Sequence, residues 1–113
     1  MIIAVDGPAA SGKGTLAAGL ARHYRLPHLD TGLLYRAVGL AVRDWADTEE
    51  FEARAVAAAR ALDAGHLHDR DKLQSAEAGN LASRVAVIAG VRQALFDFQR
   101  KFATQAGGAV LEN

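Results

Sequence analysis

The chain has 113 residues, with 13 Lys and Arg balanced by 13 Asp and Glu, 50% hydrophobic residues and no cysteine. That is the size of one small domain, able to bury about two-thirds of its unfolded surface. The balanced charge gives no ground for a nucleic-acid or anionic-membrane partner, and the lack of cysteine excludes disulfides and thiolate metal sites. No apolar run reaches the roughly 20 residues of a membrane span, and the N-terminus reads as a strand rather than a signal peptide, so a soluble cytoplasmic protein is expected.

Met1 to Val5 is a short apolar run rich in β-branched side chains and reads as a strand buried on both faces. The stretch VDGPAASGKGTLA follows, from residue 5 to 17, and then a helix in which Leu16, Leu20 and Tyr24 recur at helical spacing with Arg22 and His23 near its end. Strand, glycine-bearing loop and helix together are the setting of a phosphate-binding loop, where backbone N–H groups and a helix N-terminus converge on one anion. Gly7 to Lys13 fits GxxxxGK, but the hydroxyl expected next arrives one place late, because Gly14 precedes Thr15. Lys13 is expected to reach outer phosphates and Thr15 to face Mg²⁺, directly or through water, while Gly7 and Gly12 permit backbone angles and close approaches that a Cβ blocks. The competing reading is a tight strand-to-helix turn with an incidental lysine.

Leu26 to Gly32 reads as a short extended piece closing in turn chemistry. A helix follows with Leu34, Val38, Ala41, Val42 and Trp45 on one apolar stripe, Trp45 being assigned to the core and Tyr35 left open between core and base stacking. Asp47-Thr48-Glu49-Glu50 resembles a capping box opening an alanine-rich helix to about Leu62. Residues 63 to 80 read as a polar loop or lightly structured excursion. From Leu81 to about Ala103, Val85, Ile88, Val91, Leu95, Phe98 and Phe102 form a stripe, with Gly90 expected to break it into two helices. Gly107 to Leu111 looks like a turn feeding a second buried strand, parallel to the first.

Two smaller signals accompany these elements. LDTGLLYR places Asp30 and Arg36 where they can bracket an anion, the arginine as a fork for phosphate oxygens, although on spacing alone the same residues describe a capped helix with a surface arginine. His66 and His68 fall on one side of an extended segment as metal ligands can, but with no third ligand nearby they read as solvated loop histidines.

Taken in order, GPAASGKGT, LDTGLLYR and LASRVAVIAGVRQALFDFQRKFA closely resemble the bacterial cytidylate kinases, over nearly the whole chain. The resemblance implies an α/β P-loop nucleoside monophosphate kinase fold that moves the γ-phosphoryl group of ATP, with Mg²⁺, onto CMP or dCMP. It implies a phosphate-loop core at 1–30, a mostly helical monophosphate-binding part at 31–105 and a returning core strand at 106–113. It assigns ATP phosphates to Gly7, Pro8, Ala9, Ala10, Ser11, Gly12, Lys13, Gly14 and Thr15, with Lys13 catalytic and Thr15 towards the metal. It assigns the monophosphate to Asp30, Thr31, Arg36, Ser83 and Arg92. The family continues VLDGRDIGT after the last strand, where this chain ends with Glu112 and Asn113 in the aspartate and glycine positions. The later strands and the arginine-bearing lid are then missing, negligible turnover is expected of the 113 residues alone, and the edge of Ala109 to Leu111 is expected to lie unpaired and favour self-association, where a complete family member is expected to be monomeric. The other readings are a non-catalytic nucleotide-binding module and a kinase of different monophosphate specificity.

Overall fold

A computed structural model describes residues 1–8, 11–105 and 107–113. It divides into two compact units, residues 1–32 with 99–113, and residues 33–98.

The first unit is a parallel sheet with a helix on it. Strands β1 (Ile2–Val5), β2 (His28–Asp30) and β3 (Ala109–Glu112) stand in the order β1-β3-β2. Both β1 and β2 pair with β3 in parallel, so the expected parallel relation of the first and last strands holds. The piece expected to be merely extended is thus a true strand. It also pairs along the flank of β3 that was expected to be open, and the predicted unpaired edge at Ala109 to Leu111 does not exist. Ala109 and Val110 are fully buried. The outer edges of this sheet are instead β1 and β2.

Only Val5 of β1 is buried and Ile2 is 58% exposed, because helix α1 (Lys13–Tyr24) covers the face that carries Ile3 and Val5 while Ile2 and Ala4 point to the other, whereas a strand covered on both faces was expected. Helix α1 also turns a different face inward. Ala17 and Ala21 pack with Val5 and Val110, with Ile3, Leu20 and Leu26 at the margin, while Leu16 and Tyr24 are exposed. Small side chains let the helix backbone lie close to the strands, and bulk stays outside. Arg25, in the left-handed region with φ 55°, ends the helix, its N–H and that of Leu26 returning to carbonyls of the last turn.

The second unit is helical throughout. Helix α2 (Thr31–Ala41) begins directly at the end of β2, without the expected intervening turn. It stops at Ala41, which is exposed, and Arg43–Trp45 is a 3₁₀ turn. Trp45 is accordingly half-buried, and the Arg54 guanidinium lies 4.1 Å from its ring centroid, so it is not the core residue the stripe suggested. Helix α3 (Phe51–Arg60) has no side-chain cap. The expected capping box fails because Asp47 takes φ 65° and spends its carboxylate on Arg84, 2.9 Å away.

Residues 63 to 80 carry more structure than predicted. A 3₁₀ turn (Ala64–Leu67), α4 (Arg70–Leu73) and the start of α5 (Ala76–Ala86) are each opened by a side chain on a backbone N–H, from Asp63, Asp69 and Ser75. His66 completes a capping box, its Nδ1 accepting from Asp63 N at 3.0 Å, which ends the idea of a histidine pair for metal. Helix α6 (Ala89–Ala103) follows after a break at Val87 and Ile88. Two helices were expected, but Gly90 does not part them. It lies in the first turn of α6, where a Cβ would stand 2.8 Å from Val56 Cγ2. Leu34, Val38, Val85, Val91 and Leu95 are fully buried, as their periodicity predicted.

Candidate functional site

Every described strand of the sheet ends at the same side, since all three run parallel. The register sets Val5 and Asp30 beside Glu112, so the residues that follow, Asp6, Thr31 and Asn113, leave the sheet at one edge. Carboxyl ends of parallel strands are where α/β proteins bind ligands, and here the loop from β1 to α1 borders that edge.

Gly12, at φ 82°, is the N-cap of α1 in the left-handed conformation a Cβ disfavours. The helix begins with no side-chain cap and no acidic residue in its first turn, so neither the cap nor that turn supplies a carboxylate to its N-terminal amides. Gly7 acts differently: its φ is ordinary, but a Cβ there would stand 3.0 Å from Ser11 Oγ. Lys13 Nζ folds back to donate to the carbonyl oxygen of Gly7 at 3.1 Å and to the main-chain oxygen of Asn113. Thr15 is exposed in the first helical turn, and Pro8 and Ser11 are exposed in the loop. Ala9 and Ala10 lie outside the described residues. Gly14 faces the sheet edge, since a Cβ there would come 3.4 Å from Glu112 Oε2.

Glu112 is buried to 8% exposure, and its Oε1 lies 3.0 Å from His28 Nε2. The buried Thr31 hydroxyl stands 3.0 Å from Glu112 O and 3.1 Å from Asn113 Oδ1, its single proton serving one acceptor at a time. Asn113 Nδ2 donates to Asp6 Oδ1 at 2.8 Å. Three strand ends are thereby tied by side chains. Thr31→Val, which keeps the shape and removes the hydroxyl, is expected to lower stability by about 1–2 kcal/mol in urea unfolding, with Thr31→Ser restoring most of it. Asp30 serves as the cap of α2, its Oδ1 accepting from Gly32 N at 3.0 Å.

The remaining predicted residues belong to the second unit: Ser83 is part of α5, Arg36 packs on Gly79 in its first half, and Arg92 reaches its last residue, Ala86. Arg36 is half-buried on α2, with Nη1 donating to Leu73 O at 2.9 Å and near Ser75 O at 3.4 Å, and its guanidinium lies over Gly79. Ser83 Oγ donates to Gly79 O at 3.3 Å. Arg92 Nη1 donates to Ala86 O at 3.0 Å, at the C-terminal end of α5. Tyr35 is half-buried.

Sequence reasoning passed over Asp6 and gave His28 no role. For Asp6 the signal was available: it follows the carboxyl end of β1, and once the strands run parallel the residues that follow them gather at one edge, whereas His28 opens β2 opposite Val110 and meets Glu112 only through the fold. Among the described residues no cluster of three or more His, Cys, Asp or Glu is arranged to hold a metal ion, and no helix is long and apolar enough to cross a membrane.

A parallel sheet whose first strand passes through a glycine-bearing loop into a helix, with Lys13 at its first position, is the P-loop kinase fold. The family model for cytidylate kinase matches residues 3–113. A cytidylate kinase of Xanthobacter autotrophicus is 59% identical over 112 residues, covering 99% of this chain and 53% of its own. One from a Methylobacterium species is 58% identical over 112 residues, with 99% and 53% covered, and one from Cereibacter sphaeroides is 56% identical over 110 residues, with 97% and 50% covered. The chain belongs to the cytidylate kinase family, and it spans about half the length of these relatives.

Proposed function

We propose that the protein is a cytoplasmic nucleoside monophosphate kinase that transfers the γ-phosphoryl group of ATP to CMP or dCMP. The observation that carries the reading is the uncapped N-terminus of α1, opened by left-handed Gly12 and followed at once by Lys13. Backbone amides and one mobile ammonium there suit the phosphates of ATP, held by residues 7–15. Oxygen donors of this edge, the exposed Thr15 hydroxyl and the carboxylates of Asp6 and Glu112, suit a hard cation such as Mg²⁺. Thr15 would hold Mg²⁺, directly or through water, and the ion supplies charge neutralisation on the phosphate oxygens.

Phosphoryl transfer asks little covalent work of a protein, so the residues act by holding reactants in line and offsetting charge. Lys13 exchanges its two main-chain oxygens for phosphate oxygens. Arg36 and Arg92 grip the acceptor phosphate, each now donating to backbone carbonyls that a phosphate outcompetes through charge. Ser83 meets the pyrimidine edge, and Asp30 and Thr31 stand on the monophosphate side. Arg36 packs on Gly79 and Arg92 bonds to Ala86, both on the helix that carries Ser83, which supports grouping them.

Isothermal titration of the chain with ATP, CMP and AMP tests the reading. Binding of ATP and of CMP, with AMP weaker than CMP, is expected. Binding of ATP alone would make the protein a nucleotide-binding module, and AMP tighter than CMP would assign another specificity. Turnover is expected of a chain of the relatives' length, read as ADP formation in a coupled assay with Mg²⁺, ATP and CMP.

A further inference from the structure

Gly79 sits in the first half of α5, in the middle of a helix, where glycine is a poor choice for the backbone. Its φ is ordinary, so no turn demands it. What packs tightly against the place of its side chain is Arg36. A Cβ built on Gly79 would stand 3.2 Å from Arg36 Nη2 and 3.6 Å from both Cζ and Nη1. The guanidinium therefore packs against the bare backbone of α5 at Gly79.

Its depth there is set by two carbonyls. Nη1 reaches Leu73 O and Ser75 O, and Ser75 O also accepts from Gly79 N at 3.1 Å. Ser75 is itself fixed as the cap of α5, its Oγ accepting from Ala78 N at 3.1 Å. The residue that clears the space and the residue that anchors the arginine thus belong to one turn of helix. Four residues on from Gly79, Ser83 returns its hydroxyl to Gly79 O.

We infer that Gly79 is a positioning residue for the acceptor phosphate: its missing side chain leaves the space in which Arg36 lies, and so sets where the fork presents its Nη2 edge. The inference rests on the reading of Arg36 as a monophosphate ligand. A methyl group at position 79 displaces the flexible end of Arg36 rather than the helix, because the arginine yields more readily than packed backbone.

The effects on stability and on binding then have opposite signs. Alanine favours helix over glycine, so Gly79→Ala is expected to melt at the same temperature as the parent chain or higher. Its CMP affinity is expected to fall about tenfold, the scale of one charge-assisted hydrogen bond set askew, with ATP affinity unchanged. Titration of CMP and ATP into the parent chain, Gly79→Ala and Arg36→Ala, with a thermal melt of each, is the test. Parent-like CMP binding by Gly79→Ala, with Arg36→Ala impaired, overturns the inference alone. Joint loss of CMP affinity, ATP affinity and melting temperature in Gly79→Ala also overturns it, since that is the mark of a purely structural glycine. If the parent chain binds no CMP, or Arg36→Ala binds it as tightly as the parent, the reading of the site fails and takes the inference with it.

Discussion

Lys13→Ala is expected to lower kcat/KM in a chain of the relatives' length by about 10²–10³-fold, the usual cost of deleting one donor aimed at developing charge. The fold should hardly notice. Among the described residues the Lys13 ammonium donates to the main-chain oxygens of Gly7 and Asn113 and to no side chain. In the 113-residue chain the same substitution should weaken ATP binding while leaving the melting temperature within a few degrees. Lys13→Arg keeps the charge but replaces a compact point donor with a planar fork, and should recover only part of the loss. The coupled assay and titration described above measure both, and unchanged turnover in Lys13→Ala would remove the phosphate-loop assignment.

The largest expected loss of stability lies at the turn into β3. Gly107 and Gly108 both have positive φ, 88° and 106°. They differ in what surrounds them. A Cβ on Gly107 meets nothing nearer than Leu26 Cδ2 at 4.0 Å, whereas one on Gly108 would fall 1.7 Å from Met1 O. That oxygen accepts from Ala109 N at 3.0 Å, so it cannot retreat without opening the β1–β3 ladder. Gly107→Ala should therefore cost about 1–2 kcal/mol, the strain of a left-handed non-glycine residue. Gly108→Ala adds a backbone clash and should cost about 3 kcal/mol or more. Urea unfolding of the two variants separates conformational strain from overlap, and equal losses would show that the close approach is unimportant.

The phosphate-loop core was legible because its signals are local. Lys13, Gly12 and the β-branched run before them lie within a dozen residues, and a left-handed N-cap needs only a glycine. The caps of the short helices were legible too, since Asp63, Asp69 and Ser75 are all capping residues, but the polarity around them was taken for loop. Other features depended on tertiary partners. Asp47 looked like a cap until Arg84 claimed it, and Gly90 looked like a break when its role is clearance for Val56. The buried face of α1 was misjudged because hydrophobicity ranks Leu16 above Ala17, while a helix lying close to strands selects the smaller residue. Of the candidate site, the contact of Thr31 with Glu112 and Asn113 joins residues about 80 positions apart, and no spacing rule reaches that far.

The position of β3 between β1 and β2 also fixes an order of events during synthesis. Among the described strands β1 pairs with β3 alone, Ile2 with Ala109, so β1 has no strand partner until the residues through β3 are made. At about 5–20 residues per second, β1, the loop and α1 wait several seconds for their partner. Residues 33–98 form one contiguous helical stretch whose partners, such as Asp47 and Arg84, are all made before β3. The sheet beside Lys13 thus forms after residues 33–98 are made, and its rate is set by closing the long stretch between β1 and β3.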